Sequence, residues 1–273
     1  MKYNRKKGFT HGGIFHADDV FATALLLILN PEIEIIRGFQ VPEDFDGIVY
    51  DIGFGEFDHH QQNRKVRENG IPYAAFGLLW EAFGTEVLEK EDAEKFDREF
   101  IQPLDYSDNT GEANSLALII ADFLPTWKEK EKSMDKSFQK AVDMAKQILE
   151  KRFLQILTER EADRLVLEEM EKADGKILIL KQALPWKKMV VGSKIIYVIY
   201  PSLRGGFNIQ AVPDEAGILI KAFPKSWRGK SKAELEKLTD IKELQFCHMS
   251  GFLCAADTLE AAVQVASIAL KEK

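Results

Sequence analysis

Residues 9–27 read FTHGGIFHADDVFATALLL, and this stretch decides the fold of the first part of the chain. Four polar residues lie within nine positions of it, directly before an apolar run: His11, His16, Asp18 and Asp19. Buried polar groups are costly without partners, so the cluster indicates either a helix cap or a functional site. KGFTH (7–11) predicts a strand, and ADDVFATALLLIL (17–29) predicts a helix whose acidic first turn suits the helix dipole.

Strand-like and helix-like segments continue to alternate up to about residue 125. EIEIIRGF (32–39) and GIVYDIG (47–53) are β-branched runs that end near glycines, and AAFGLLWEAFG (74–84) is typical of a helix. EDAEKFDREFIQPLDYSDN (91–109) predicts a helix that is broken near Pro103. This alternation predicts an α/β domain with a mostly parallel sheet flanked by helices.

The second part of the chain has a different pattern. Apolar residues recur every three to four positions from Ser133 to Lys172, which predicts one long connecting helix. A smaller α+β domain follows. Its predicted strands are KILIL, SKIIYVIY, FNIQAV and GILIKAF, and its predicted helices are SKAELEKL and TLEAAVQVASIAL. The predicted domains are therefore 1–132, 133–173 and 174–273.

Composition excludes several classes of protein. The 273 residues include 37 Lys and Arg against 44 Asp and Glu, a net charge of −7, which argues against a protein that coats long nucleic acid or a membrane surface. The two cysteines, Cys247 and Cys254, are too few for a disulfide scaffold. The longest apolar run (20–29) is too short to span a bilayer, and no signal peptide is evident. We expect a cytoplasmic protein without a membrane partner.

Nitrogen and oxygen donors are concentrated in four segments of the first part. They are His11, His16, Asp18, Asp51, Asp58, His59, His60 and Asp105. Each donor alone has a simpler interpretation, such as a first-turn carboxylate for Asp18 or a loop histidine for His11. Ligands bind beyond the carboxyl ends of parallel strands, however, and converging carboxylates repel one another unless cations neutralise them. The set predicts a site for two divalent metal ions.

At these residues the sequence resembles the DHH phosphoesterase superfamily, through Asp58-His59-His60. The resemblance is closer to the melanocyte proliferating gene 1 family of metal-dependent nucleases. The motifs that carry it are THGGIFHADD (10–19), VYDIG (49–53), DHHQQ (58–62), GIPYAAFGLLWEAFG (70–84) and LDYSDNTG (104–111), with NIQAVP, FPKSWRG and CHMSGF further on.

The resemblance implies a dinuclear site, most often with manganese. It implies that His11, His16 and Asp51 hold one ion, and that the other is held by Asp18, Asp51, His59 and Asp105. Asp58 is then expected to orient a ligand histidine, and His60 to face the substrate phosphate. Many superfamily members have an aspartate in place of His16. Since imidazole suits transition ions, we expect Mn²⁺ or Co²⁺ to support activity better than Mg²⁺.

The C-terminal domain is expected to bind substrate. The predicted contacts are Arg204, Gly205 and Gly206 of RGGFNIQ and His248, Ser250 and Gly251 of CHMSGF. Gly205-Gly206 alone equally fits a hairpin turn. Lys225 and Arg228 are weaker candidates, since a charged loop is usually only solvated. Phe207, Trp227 and Phe252 are candidate platforms for stacking of bases.

These observations predict a phosphodiesterase with two divalent ions, most consistent with a 3′→5′ exonuclease on RNA or short oligonucleotides. A small-molecule phosphatase or pyrophosphatase is the alternative on the same metal centre. A non-catalytic metal-binding protein is a further alternative, which would need a missing ligand. A homodimer formed through the long helix stays open, as does the choice between RNA and DNA.

Overall fold

The computed structural model describes residues 4–129 and 133–272. The chain divides into two compact units, Met1–Leu157 and Thr158–Lys273. The division falls within a long helix, which is α6 (Met134–Lys172) in chain order. The domain boundary predicted at residue 132 lies outside the described residues.

The first unit contains a three-stranded parallel sheet in the order β2-β1-β3. β1 (Lys7–His11) is central, β2 (Glu34–Gly38) pairs with its whole length, and β3 (Ile48–Val49) pairs with Gly8 and Phe9. α1 (Ala17–Leu29) follows β1 and is buried from Ala17 to Leu26, as expected of a helix that is apolar on several faces. The predicted α/β class is confirmed.

Helices surround this sheet. They are α2 (Ala75–Phe83), α3 (Lys90–Phe96), α4 (Gln102–Thr110) and α5 (Ser115–Ala121), with the first part of α6 packed into the same core. The segment predicted to break near Pro103 stays helical but changes its hydrogen-bond pattern there. A π-helical segment, Asp97–Ile101, lies between α3 and α4 just before Pro103, the residue that lacks an N–H.

The second unit is α+β, as predicted. Its five-stranded sheet has the order β4-β5-β6-β8-β7, and only β4 and β5 are parallel. The strands are β4 (Ile177–Ile179), β5 (Tyr197–Pro201), β6 (Phe207–Ala211), β7 (Leu244–Cys247) and β8 (Leu253–Ala256). The helices beside them are α7 (Lys187–Val190), α8 (Lys232–Thr239) and α9 (Leu259–Lys271).

The strands of the second unit differ from the sequence prediction in two respects. GILIKAF (217–223) forms a loop, because the Asp214 carboxylate accepts hydrogen bonds from the N–H groups of Ala216 and Ile218 and curls the backbone. The hairpin of β7 and β8 was not predicted. Among the described helices, none is both long enough and apolar enough to cross a membrane.

Candidate metal centre

An open cavity of about 1330 Å³ lies at the carboxyl ends of the three parallel strands of the first unit. His11, Phe39 and Asp51, which end or follow β1, β2 and β3, line it together with residues of the 58–64 loop and of α4 and α5. Ligands bind at this edge of a parallel sheet. The cavity is larger than the roughly 300–1,000 Å³ of most small-molecule pockets, so it has room for a substrate that extends beyond one small molecule.

Asp51 follows β3 and joins two histidines through its carboxylate. Its Oδ2 lies 3.2 Å from His11 Nε2, and its Oδ1 lies 3.2 Å from His59 Nε2. The backbone of Asp51 has φ +55°, a left-handed conformation that is unfavourable for residues other than glycine and is found preferentially at functional sites. Burial would raise the pKa of Asp51, but the hydrogen bonds from the two histidines outweigh it and lower the pKa to about 2.

His59 lies deep in the cavity and contacts several oxygens. Its Nε2 is 3.3 Å from Asp108 Oδ2 and 3.9 Å from Asp18 Oδ2, in addition to its contact with Asp51. Its Nδ1 lies 3.3 Å from the side-chain oxygen of Asn109. Burial opposes the charged ring, but the hydrogen bond and charge of Asp51 raise the pKa of His59.

His60 is the outer histidine of the pair, and its side chain is 57% exposed. Its Nδ1 lies 2.7 Å from Asp58 Oδ1, and its backbone N–H donates to the same oxygen. The other oxygen of Asp58 accepts the N–H of Phe54 at 2.7 Å. Because the carboxylate holds Nδ1–H, the Nε2 atom of His60 is the nitrogen available to a ligand. Asp58 was predicted to orient a histidine that binds metal. In the structure, the histidine that it holds is His60.

Asp18 and Asp19 are adjacent in α1 but have different surroundings. The two oxygens of Asp18 accept the N–H groups of Ala75 and Phe76 at 2.8 and 2.7 Å, so Asp18 caps the start of α2 while lying near His59. Asp19 Oδ1 accepts the backbone N–H of His16 at 2.8 Å. Asp19 Oδ2 is buried, receives no hydrogen bond and lies 3.3 Å from His11 Nε2.

Asp105 and Asp108 lie one turn apart on α4 and also have different surroundings. Asp105 is fully buried, and its Oδ2 lies 2.7 Å from the Arg67 guanidinium, while its Oδ1 accepts the N–H of Gly77. A side chain at Gly77 would collide with this pair, since its Cβ would lie 2.0 Å from Asp105 Oδ2. Asp108 instead lines the cavity beside His59.

Donor atoms that lie within 4.8 Å of one another form three groups among the described residues. The groups are His11, Asp19 and Asp51; Asp18, His59 and Asp108; and Asp51, His59 and His60. The structure thus brings His11, Asp18, Asp51 and His59 of the predicted ligands together. The rings of His11 and His16 are 6.3 Å apart and both residues line the cavity, but neither His16 nor Asp105 belongs to these groups.

The electrostatics of this set fit divalent cations. Burial raises the pKa of Asp19 to about 7, and burial together with the charges of Asp51, Asp108 and Asp105 raises the pKa of Asp18. Burial opposes the charge of His11, but Asp51 and Asp19 raise the pKa of that ring to about 9. A divalent cation would offset the burial and mutual repulsion of these carboxylates, and the buried Asp19 Oδ2 accepts no hydrogen bond.

Asp19, Asp108 and Asn109 lie among the predicted ligands in the structure, although that predicted set did not include them. Asp19 is absent from the predicted ligands. Its Oδ1 accepts the N–H of His16 at the start of α1, but its Oδ2 lies beside His11. Asn109 contacts both His59 and the Arg64 guanidinium through its side-chain oxygen. The spacing of Asp105 and Asp108 could have indicated Asp108 as a candidate ligand. Asp108 lies three residues after Asp105, and residues at this spacing are neighbours on one face of a helix.

The predicted substrate contacts all lie in the second unit. Gly205 and Gly206, with φ +92° and +66°, form the turn between β5 and β6, and the exposed Arg204 lies at its tip. The hairpin-turn alternative therefore describes the local structure of the two glycines. Their predicted contact with substrate stays a prediction.

The CHMSGF segment forms the turn between β7 and β8. His248 Nδ1 accepts the N–H of Ser250 at 3.1 Å and lies 2.8 Å from its hydroxyl, which places the proton of the neutral ring on Nε2. Gly251, with φ +72°, leaves room for the Arg228 guanidinium, which a Cβ would approach to 2.6 Å. Lys225 is exposed, as expected of a solvated loop.

One of the proposed stacking platforms is wrong. Trp227 is only 2% exposed, because it packs with Phe223 in the core of the second unit and has no free face for a base. Phe207 and Phe252 are partly buried, and Phe252 packs edge-on against His248 with ring centroids 4.6 Å apart.

Comparison with known proteins gives a match over nearly the whole chain. The family model MYG1_exonuc, described as an uncharacterised protein family (UPF0160), matches residues 8–270. A MYG1 protein of Schizosaccharomyces pombe is 30% identical, covering 98% of each chain. The MYG1 exonuclease of Homo sapiens is 29% identical over 97% of this chain and 85% of its own length. No solved structure matches.

Proposed function

The chain belongs to the MYG1 exonuclease family, and from this membership and the metal centre we propose that it is a metal-dependent phosphodiesterase. A hydrolytic, nuclease-type enzyme is what the names of the relatives support. We further propose two divalent ions, Mn²⁺ before others, and 3′→5′ cleavage of RNA or short oligonucleotides. Membership of the wider DHH superfamily is part of the same proposal.

The observation that carries the proposal is the shared carboxylate of Asp51. Each of its two oxygens lies beside a different histidine, His11 on one side and His59 on the other, so Asp51 would be the residue that the two ions share. One ion would be held by His11, Asp19 and Asp51, with the predicted His16 as a further ligand. The other would be held by Asp18, Asp51, His59 and Asp108. When bound, such a pair supplies an activated water and neutralises phosphate charge.

We propose Asp108 rather than Asp105 as the ligand from α4. Asp105 already has a cationic partner, Arg67, and this buried pair joins α4 to the loop before α2. Burial raises the pKa of both carboxyl groups, so the difference lies in their partners: Asp108 lies beside His59 in the cavity, whereas Asp105 is paired with Arg67.

The remaining cavity residues have distinct roles in this proposal. Asp58 holds His60 through Nδ1, so that Nε2 is left to face a phosphate oxygen and stabilise its negative charge. Asn109 positions His59 through Nδ1, as residues behind metal-bound histidines do. Substrate contacts from Arg204, Gly205, Gly206, His248, Ser250 and Gly251 remain part of the proposal.

A pyrophosphatase is the second candidate, and the cavity favours it less. Pyrophosphate carries several charges in a small volume and needs clustered Lys and Arg side chains. Of the residues described around the cavity, Arg64 is the only Lys or Arg. The large open cavity suits a longer substrate.

A hydrolysis panel tests the proposed function. Metal-stripped protein is reloaded with Mn²⁺, Co²⁺ or Mg²⁺ and given short RNA, short DNA, dinucleotides, 3′-phosphoadenosine 5′-phosphate and pyrophosphate. We expect Mn²⁺- or Co²⁺-dependent release of nucleotides from the 3′ end of RNA, with far less turnover in Mg²⁺. Cleavage of pyrophosphate alone would overturn the proposal, and equal turnover with Mg²⁺ would contradict the metal preference.

Two further properties stay predictions. Both cysteines are free thiols, which agrees with the expected cytoplasmic location without establishing it. Association of two copies is tested by the molecular mass in solution.

A further inference from the structure

Two phenylalanine rings are exposed at the cavity of the metal centre. Phe39 follows β2 and is 84% exposed, and Phe54 lies in the loop after Asp51 and is 71% exposed. Both residues line the cavity, whose inner wall carries ionisable side chains. A single exposed apolar side chain is ordinary, but two large rings at the opening of a charged cavity require an explanation.

The backbone fixes Phe54 in relation to the centre. Phe54 has φ +56° and Asp51 has φ +55°, with Gly53 between them at +85°, so three of four consecutive residues are left-handed. This conformation is unfavourable for a bulky residue, and it persists here with a hydrogen bond from the Phe54 N–H to Asp58. The other oxygen of that carboxylate holds His60. The backbone of Phe54 is therefore bound to the same carboxylate that holds His60, the residue proposed to face the phosphate.

Phe39 is positioned by the glycine turn of the opening motif. A Cβ on Gly12 would lie 3.4 Å from the Phe39 ring, and a Cβ on Gly13 would lie 3.3 Å from it. The ring thus rests against backbone between His11 and His16, where any side chain would crowd it. Gly13 also needs its left-handed conformation, with φ +81°, to make this turn.

We propose that Phe39 and Phe54 form a stacking subsite for the nucleobases that flank the phosphate in the metal centre. This inference rests on the proposed phosphodiesterase function and adds the part of the substrate that is recognised. Every base has a flat π face, so stacking on an aromatic ring binds nucleotides with little sequence preference. A phosphate ester without a base gains nothing from these rings. The subsite replaces Trp227, which is buried, as the platform that a nuclease needs.

Binding of a fluorescent mononucleotide tests the subsite without any hydrolysis. The Mn²⁺-loaded full chain is titrated with 2-aminopurine riboside 5′-monophosphate, whose fluorescence is quenched by stacking, and ribose 5-phosphate is the matched ligand without a base. We expect quenching, and a Kd for ribose 5-phosphate that is roughly 5- to 100-fold weaker.

Variants assign the effect to the two rings. Phe39→Leu and Phe54→Leu should each reduce quenching and weaken nucleotide binding about fivefold or more, with ribose 5-phosphate binding unchanged. Phe54→Tyr keeps a ring and should bind normally. Trp127→Leu is the control, because Trp127 is 80% exposed in the same unit and does not line the cavity. Metal content and circular dichroism confirm that each variant is folded.

The outcomes separate the subsite from the proposed function. Equal affinity for the two ligands, no binding of either, or leucine variants that bind like the wild type would overturn the subsite. Hydrolysis of oligonucleotides is measured on the same preparations. Base-dependent binding without hydrolysis would contradict the proposed function and support the subsite. Hydrolysis without base-dependent binding would support the proposed function and contradict the subsite.

Discussion

Two turns of the molecule present histidines, and they hold them differently. In the first unit, carboxylates hold His59 and His60: Asp51 and Asp108 lie beside the former, and Asp58 holds the latter. In the second unit, the N–H and hydroxyl of Ser250 hold His248. A carboxylate beside an imidazole leaves negative charge that a cation neutralises, whereas a serine hydroxyl beside the ring adds no charge. The first turn is therefore suited to metal ions, and the second to hydrogen bonds with a substrate.

The largest effect is expected at the residue that both metal sites would share. Asp51→Asn removes the charge that faces His11 and His59, so bound metal and hydrolysis should fall by at least about a hundredfold, the upper figure for a partner that acts only through a ligand. Metal per chain is measured by mass spectrometry, and turnover in Mn²⁺. Asp44→Asn, on an exposed residue of the same unit, is the control. Normal metal content in Asp51→Asn would remove the difference between the two turns.

The next effect separates the two aspartates of α4. Asp108→Asn should weaken metal affinity about 10- to 100-fold and leave the free energy of unfolding nearly unchanged. Asp105→Asn should destabilise the protein by roughly 1–3 kcal/mol, because the buried Arg67 loses one of its carboxylate partners. Urea unfolding of metal-free protein and metal titration measure both quantities. The reverse result would restore Asp105 as the ligand implied by the family resemblance.

Asp105 and Asp108 show how much of the site could be predicted from the sequence. Apolar periodicity and an acidic first turn predicted α1 with the bounds that it has, and strand ends predicted that His11, Asp51 and His59 would meet. The choice between neighbouring carboxylates was not predictable. Successive helical residues point about 100° apart, and the side chain that faces the cavity depends on which elements dock there.

Docking of other elements decided each of these cases. The N–H groups at the start of α2 hold Asp18 near His59, whereas Arg67 pairs with Asp105 and holds it away from the ligand groups. Trp227 was misassigned for a similar reason, since an aromatic residue in a charged loop gives no sequence signal that Phe223 will cover it. The local sequence pattern determines where helices and strands form. Contacts between segments distant in sequence determine which side chains are left free to bind a ligand.

A smaller effect is expected at the second turn. His248→Ala should raise KM for an oligonucleotide roughly tenfold, the cost of one hydrogen bond to a charged group, without changing bound metal or kcat. His248→Gln keeps a donor and should recover part of the loss. Steady-state kinetics with metal analysis provides the measurement. Loss of bound metal in His248→Ala would show that His248 contributes to metal binding, as the histidines of the first turn are proposed to do, and would contradict the proposed difference between the two turns.

The smallest effect concerns the helix that leads into the second turn. Ser231 caps α8, accepting the N–H of Glu234 while the Glu234 carboxylate accepts the N–H of Ser231, and α8 packs on β7. Ser231→Ala should cost about 1 kcal/mol of unfolding free energy, the usual value of an N-cap. Because no metal ligand is proposed in this unit, the loss should be equal in metal-loaded and metal-free protein, unlike that of an Asp51 variant.

The same cap gives the direction of a pH dependence. Hydrogen bonds from Ser231 and the charge of Lys230 lower the pKa of Glu234 to about 2. A carboxylate whose pKa is lowered by folding stabilises the fold above its ordinary pKa of 4.5, and this contribution is lost as the pH falls through about 2. The difference in Tm between the wild type and Glu234→Gln should therefore stay constant from pH 8 to about 5 and shrink below that. A difference that grows on acidification would show that Glu234 is not held in its charged form, and that the second unit depends on some other contact.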